Sequence, residues 1–137
     1  MKYLEKFERE ILSWPEVSAR AHRFGGREFQ YRGAEIGHAH TGGTVDIPFP
    51  RTIRDELLAE GLAEEHRWVP NSGWVTCHVR GEEDFSHAVW LMRLSYLRYA
   101  LKSASDSQRL LEEYGESLQL TTRLKSLFEP FMPKPIA

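Results

Sequence analysis

Residues 25–49, GGREFQYRGAEIGHAHTGGTVDIPF, decide the fold of this chain. Turn residues at 25–26, 32–33 and 42–43 divide the stretch into short pieces, which is the spacing of successive β-hairpins. Apolar and polar residues alternate within the pieces, as in Val45, Ile47 and Phe49. With the piece that precedes the first glycine pair, the pattern predicts a four-stranded antiparallel meander over 17–24, 27–32, 34–40 and 44–49.

Helices and one further hairpin are predicted on both sides of this meander. Apolar residues at helical spacing predict a helix over 2–13, and Pro50 is typical of the start of a second helix over 51–60. Strands over 66–69 and 74–80 follow, and a long helix over 83–102 has apolar residues on most of its circumference. The capping-box spacing of Ser105 and Gln108 predicts a helix that ends at Gly115, and residues 117–128 suggest one more.

This order of elements, α-β-β-β-β-α-β-β-α-α, predicts an α+β fold. An antiparallel sheet of about six strands would be covered by helices on one face. Residues 1–129 are expected to form a single domain, and residues 130–137 a Pro-rich tail.

The composition excludes several classes of protein. A chain of 137 residues is too short for a (β/α)₈ barrel, and 18 basic against 20 acidic residues leave no excess charge to attract nucleic acid or an anionic membrane. A single cysteine, Cys77, excludes an internal disulfide and suits a reducing compartment. The first residues carry charges throughout, so neither a signal peptide nor a membrane anchor is expected. These features favour a cytoplasmic protein, and the oligomeric state stays open.

Several phrases of the sequence resemble a known family. They are WPEVS at 14–18, FGGREF at 24–29, EIGHAH at 35–40, VDIPFPR at 45–51, NSGWV at 71–75 and LSYLR at 94–98. In that order they resemble the small bacterial "luciferase domain" family, long treated as a domain of unknown function. The resemblance implies no catalytic residues and no light emission, since flavin-dependent bacterial luciferase is a barrel too large for this chain.

A fainter similarity links residues 73–76 and 95–97 to the MmcQ/YjbR-like proteins. A tryptophan-containing strand paired with a helix that carries Ser-Tyr is common to both. This resemblance implies a frataxin-like α+β fold, and some members of that group have been proposed to bind DNA.

His38 and His40 form the most suggestive polar cluster. Alternate residues of a strand point to one face, where two imidazoles can share a metal ion or a proton. If Gly42-Gly43 forms a two-residue turn, Asp46 lies on the other face, whereas a three-residue loop would place Asp46 beside His38. We favour the two-residue turn and therefore predict no resident metal. Structural histidines and a hydrogen-bonding or proton-transfer pocket remain the alternatives.

Two further groups could contribute to a site. Arg51 and Arg54 lie at the start of a helix, where a carboxylate or phosphate could bind, although Arg54 could equally pair with a nearby acid. Ser72 follows a turn, and Trp74 shares a strand face with His78, which suits either ordinary sheet packing or stacking of an aromatic ligand. Cys77 faces the helices and is expected to be a buried side chain rather than a nucleophile.

The sequence therefore favours a small ligand-binding domain and leaves a minor enzymatic activity open. The candidate site residues are His38, His40, Arg51, Arg54, Ser72 and Trp74. They fall at strand ends, turns and a helix start, where polar groups converge on pockets, and they suit an anionic or aromatic small molecule. No cofactor is expected. The alternative is a nucleic-acid or protein interaction module that uses the arginines of the first hairpin, Arg20, Arg23, Arg27 and Arg32.

Overall fold

The computed structural model of the protein describes residues 3–66, 69 and 71–134. Its helices are α1 Leu4–Leu12, α2 Arg51–Ala59, α3 Glu82–Ser103, α4 Ser107–Ser117 and α5 Thr122–Ser126. Its strands are β1 Val17–Ala21, β2 Arg27–Tyr31, β3 Ala34–Ala39, β4 Thr44–Pro48, β5 Glu64–Glu65 and β6 Trp74–His78. Short 3-10 turns occupy Arg23–Gly25 and Glu129–Phe131. The predicted α+β class and the order of its elements are confirmed.

The six strands form one antiparallel sheet in the order β1-β2-β3-β4-β6-β5. Helix α3 packs against β3, β4 and β6 and covers one face of the sheet. That face is apolar: Phe29, Val45, Ile47 and Val75 are fully buried on it. Because side chains alternate along each strand, the intervening residues point to the opposite face. The polar residues of the central strands therefore lie together on the face that α3 leaves uncovered.

Close contact between α3 and β3 requires a residue without a side chain. Gly37 has φ +154°, and a Cβ atom there would lie 2.5 Å from the sulfur of Met92 on α3. Glycine removes this clash and adopts the backbone angle without strain. The helix therefore lies directly on β3, the strand that carries His38 and His40 on its other face.

Some predicted boundaries differ from the structure. The predicted strand over 66–69 is replaced by β5 at Glu64–Glu65, and residues 67 and 68 lie outside the described part of the chain. Helix α4 begins after Asp106 rather than Ser105, because the Asp106 carboxylate accepts a hydrogen bond from the backbone N–H of Arg109 at 3.1 Å. The helix continues past Gly115, which is small because the Lys125 side chain packs against it.

The described C-terminal segment after α4, residues 118–134, packs on the domain. Helix α5 is capped by the Thr121 hydroxyl, and Phe131 of the following 3-10 turn packs at the edge of the core. Within the described residues, no helix combines the length and the apolar character needed to cross a membrane.

Candidate functional site

A β-bulge in β3 decides which side chains reach the open face of the sheet. Phe29 pairs with Gly37, whereas Gln30 pairs with Glu35, so Ile36 is an extra residue without its own partner. The bulge reverses the alternation, so Ile36 faces the core while Glu35 joins His38 on the open face. Residues three apart on a regular strand point in opposite directions. The bulge therefore makes the contact between Glu35 and His38 possible.

The loop between β3 and β4 sets the position of Asp46. His38 pairs with Asp46, and the His40 N–H donates to the Thr44 carbonyl at 2.8 Å, which leaves the three residues 41–43 in the loop. The predicted two-residue turn is therefore wrong, and Asp46 faces His38 and His40 rather than the core. Gly43 takes the left-handed φ of +97° that closes this longer loop. The prediction of no resident metal assumed that Asp46 points away from the histidines, and this assumption does not hold.

Asp46 is the centre of the polar cluster on the open face. Its carboxylate is 5% exposed, and its Oδ2 lies 2.9 Å from His40 Nε2 and 3.2 Å from His38 Nε2. The Thr76 hydroxyl donates to its Oδ1 at 2.8 Å, and His66 Nε2 lies 3.5 Å from the same oxygen. Four side chains from three parts of the chain thus surround one buried carboxylate, which satisfies its charge.

A cleft of about 680 Å³ opens above this carboxylate. Its described lining consists of His22, Arg23, His38, His40, Thr44, Asp46, Glu64, Glu65, His66, Thr76 and His78. Five of these eleven residues are histidines, and the cleft volume falls within the range of roughly 300–1,000 Å³ that is typical of small-molecule sites. We call this the histidine cleft.

The imidazole rings contact one another inside the cleft. His22 stacks on His38 with ring centroids 4.2 Å apart, and the rings of His38 and His40 meet edge to face at 4.9 Å. The indole of Trp74 lies 5.2 Å from the His38 ring and closes the cluster on its other side. His38 is therefore surrounded by three rings and two carboxylates, while His40 remains more accessible, with 34% of its side chain exposed.

Burial and hydrogen bonding shift the pKa values of the central groups in opposite directions. Burial by itself would lower the pKa of His38, but hydrogen bonds to Asp46 and Glu35 outweigh it and raise that pKa to about 9. Burial likewise works to raise the pKa of Asp46, yet hydrogen bonds from His38, Thr76 and His40 hold it well below its usual range. In the absence of other ligands, the structure therefore contains an ion pair between protonated His38 and ionised Asp46 at neutral pH.

His22 differs from its neighbour His38 in its protonation state at neutral pH. Its pKa is lowered, first by burial and then by repulsion from His38 and His40. The nearest carboxylate in contact, Glu28, lies 3.8 Å from His22 Nδ1, too far for a hydrogen bond. His22 is consequently neutral at neutral pH and offers a lone pair to the cleft.

The structure brings together only some of the predicted site residues. His38 and His40 line the cleft, and Trp74 contacts the rings of His38 and His66 behind this lining. Arg51 instead donates to the carbonyl of Asn71, and Ser72 accepts a hydrogen bond from the Trp74 N–H at 3.2 Å, so Ser72 supports the loop before β6.

Arg54 also has a supporting position. Its guanidinium is 7% exposed and donates to Asp55 at 2.7 Å and to Glu65 at 2.6 Å. The sequence left open whether Arg54 binds an anionic ligand or pairs with a nearby acid, and Arg54 pairs with two acids. Since Glu65 lines the cleft, Arg54 contacts the cleft wall through this residue rather than directly.

Sequence reasoning did not select His22, and it left His66 and His78 without a position. His22 follows β1, and its N–H donates to the Gly26 carbonyl at 2.9 Å, which continues the pairing of the first hairpin. Alternation along β1 therefore indicated its face, but only the strand order shows that this face adjoins His38. Cys77 points to the covered side, where burial raises the pKa of its thiol to about 11, so it is poorly suited to act as a nucleophile.

The fold and the site together define a small α+β domain with a histidine-lined cleft on the open face of its sheet. Residues 33–95 match the model of the luciferase domain family, which confirms the resemblance predicted from the sequence. The matched segment includes His38, His40, Asp46, His66 and Trp74, while His22 precedes it. No curated protein and no solved structure shows a significant match to the chain. The family match assigns no ligand and no reaction.

Proposed function

We propose that the protein binds a small molecule in the histidine cleft and that this molecule carries an anionic or aromatic group. The observation that carries the proposal is the convergence of His38, His40 and His66 on the buried carboxylate of Asp46 inside a cleft of about 680 Å³. Convergent polar groups in a concave site of this size are the usual signature of a ligand pocket.

The walls of the cleft suit an anionic or aromatic ligand. The stacked rings of His22 and His38, with Trp74 beside them, offer flat surfaces for an aromatic group. Arg23 at the rim and the N–H groups of the imidazoles offer donors to an anion. Three of the predicted residues support this site indirectly, because they hold the loop before β6 and the short strand β5 that border it. They are Arg51, Arg54 and Ser72.

His40 and Asp46 also suit proton transfer to or from a bound molecule. A carboxylate that contacts one ring nitrogen orients the imidazole, as Asp46 does for His40. His40 is the more exposed partner and therefore the one that reaches the cleft interior. A minor enzymatic activity would use His40 as the general base or acid and Asp46 as its positioning residue.

The alternative function, a nucleic-acid or protein interaction module, has weaker support. Arg20, Arg27 and Arg32 of the first hairpin pair with Glu28, Glu8 and Glu16 respectively. Guanidinium groups already paired with carboxylates provide little net attraction for phosphates. Filter binding to DNA at about 50 mM salt and again at higher salt tests this alternative, since phosphate contacts weaken steeply with salt.

The experiment for the proposed function is a titration with benzoate, which combines an anionic and an aromatic group. Amide spectra of the ¹⁵N-labelled, metal-free protein are recorded up to about 10 mM benzoate, the range that detects millimolar binding. We expect saturable shifts confined to the strands that line the cleft. A His40→Gln variant should weaken binding at least fivefold.

The matched control is His87→Gln, which replaces a histidine of α3 outside the cleft lining. Its side chain contacts the Leu62 carbonyl at 2.6 Å, a contact that the glutamine amide is able to replace. This variant should bind benzoate as the parent protein does. Absence of any saturable shift in the cleft, or equal weakening by both substitutions, would contradict the proposal.

A further inference from the structure

Three imidazoles of the histidine cleft come within reach of one common point. His22, His38 and His40 each offer one ring nitrogen, and these three atoms all lie within 4.8 Å of one another. His38 belongs to β3, His40 directly follows that strand, and His22 directly follows β1, so the arrangement depends on the sheet rather than on a local sequence motif. Imidazole nitrogens are preferred ligands of zinc, copper, iron and nickel.

The spacing around Asp46 also suits metal coordination. Two donors that bind one ion at about 2.1 Å stand roughly 3.0–3.4 Å apart in octahedral or tetrahedral geometry. Asp46 Oδ2 lies 2.9 Å from His40 Nε2 and 3.2 Å from His38 Nε2. Asp46 Oδ2 is therefore already close to the separation from each of these two imidazole nitrogens that one shared ion requires. His22 offers a further ring nitrogen within 4.8 Å of one ring nitrogen each of His38 and His40, and it lies outside regular secondary structure.

The carboxylate of Glu35 orients His38, as carboxylates commonly orient histidines that bind a metal. Glu35 Oε2 lies 2.7 Å from His38 Nδ1, on the side of the ring away from the nitrogen that faces Asp46. Metal-ligating histidines usually donate their other ring N–H to such a carboxylate, which fixes the tautomer. The β-bulge at Ile36 puts Glu35 in this place, so the local irregularity of β3 serves the orientation of His38.

We propose that His22, His38 and His40 hold a divalent transition-metal ion of the zinc class, with Asp46 as an adjacent carboxylate donor. The described lining of the cleft favours a cation, because it contains three carboxylates, those of Asp46, Glu64 and Glu65, and one arginine, Arg23. Three imidazoles and one carboxylate fill a tetrahedral shell, so a further ligand from the cleft would expand the coordination of the ion to five.

The metal ion would take part in the proposed binding of an anionic ligand, and this part of the inference rests on the proposed function. A bound cation would add positive charge to the cleft and so strengthen the binding of an anionic ligand. The alternative reading of the same contacts is a network of hydrogen bonds in which protons alone link Asp46 to its histidines. The two readings differ in whether metal binds in a defined ratio and through these three side chains.

The test uses the full chain, purified without an affinity tag and without chelator. The metal content is measured by elemental analysis, and zinc is then titrated calorimetrically into protein that has been stripped with EDTA. We expect one high-affinity zinc site per chain, and Co²⁺ in its place should show the ligand-field absorption of a nitrogen-coordinated ion. His22→Ala and His40→Gln should each weaken zinc binding at least tenfold.

The matched control is His78→Ala, which removes a histidine that lines the same cleft but is not one of the three ligands. It should leave zinc affinity within about twofold of the parent value. His22 offers a second safeguard, since it lies outside the core and its removal should leave the fold intact, as checked by circular dichroism. Failure to bind zinc, or equal losses in all three variants, would overturn the metal site.

These outcomes are distinguishable from a failure of the proposed function. Benzoate shifts in the metal-free protein without any zinc binding would leave the ligand cleft supported and remove the metal. Zinc binding with no benzoate shift, in the presence or absence of zinc, would establish the metal site and contradict the proposed ligand class.

Discussion

Replacement of Asp46 by asparagine tests the electrostatic centre of the histidine cleft. Asparagine keeps the size of the side chain and an oxygen that accepts the Thr76 hydroxyl, which lies 2.8 Å from the carboxylate in the parent protein. It removes the negative charge that His38 faces at 3.2 Å. The other groups that face His38 are Glu35, His22, His40 and Trp74. The substitution leaves the contacts of Glu35, His22 and Trp74 with His38 unchanged, and it also removes the charge that His40 and His66 face at 2.9 Å and 3.5 Å.

The expected magnitude follows from the pKa of His38. A rise from the ordinary 6.5 to about 9 corresponds to roughly 3 kcal/mol of preference for the protonated ring in the folded state. Glu35 and Asp46 both contribute to this rise, so removal of the Asp46 charge should cost about 2 kcal/mol while His38 is protonated. Because the folded pKa is raised, this stabilisation is fully present below pH 6.5 and disappears as the pH rises through about 9.

The assay is urea unfolding of parent and variant in EDTA between pH 6 and pH 9.5. The difference in free energy of unfolding should be largest at pH 6 and should shrink by about 2 kcal/mol at pH 9.5. Asp106→Asn is the control, because asparagine caps a helix as well as aspartate does and its effect should be small at both pH values. An Asp46→Asn penalty that stays constant with pH would refute the ion pair.

Three further results are expected. Gly37→Ala should destabilise the protein by about 2–3 kcal/mol in thermal unfolding, since the new Cβ meets Met92, whereas Gly42→Ala, with no atom within 4 Å, should leave the melting temperature nearly unchanged. Cys77 is partly buried and its pKa is raised to about 11, so it should react with iodoacetamide at pH 8 at least tenfold more slowly than free cysteine, and fast alkylation seen by mass spectrometry would be inconsistent with this raised pKa. Glu35→Gln should weaken zinc binding about tenfold in calorimetry, and an unaltered affinity would show that Glu35 does not orient His38.

Most of the fold could be predicted from patterns that act over a few residues. Glycine pairs marked the hairpins of β1 to β4, and the apolar circumference of α3 marked it as the central helix, because turn geometry and side-chain periodicity are local. The ends of α4 and the place of β5 were not predictable in this way. They depend on which of two neighbouring side chains caps a helix and on which short segment finds β6 as a partner.

The site was harder to predict, because one residue of loop length reverses the face of a strand. With a two-residue turn Asp46 would face the core, and with the observed three-residue loop it contacts both His38 and His40. The bulge at Ile36 has the same kind of effect on Glu35. His22 joins the cluster through the pairing registers of β1, β2 and β3, which the predicted meander did not fix.

The most direct test of the account is a crystal structure of the protein grown with benzoate and a zinc salt, with anomalous data collected at the zinc edge. The account predicts benzoate in the histidine cleft and an anomalous peak within bonding distance of His22, His38 and His40, with Asp46 adjacent. Benzoate found only elsewhere on the protein, with solvent alone around Asp46 at saturating concentrations of both additives, would contradict the central claim that this cleft is the binding site.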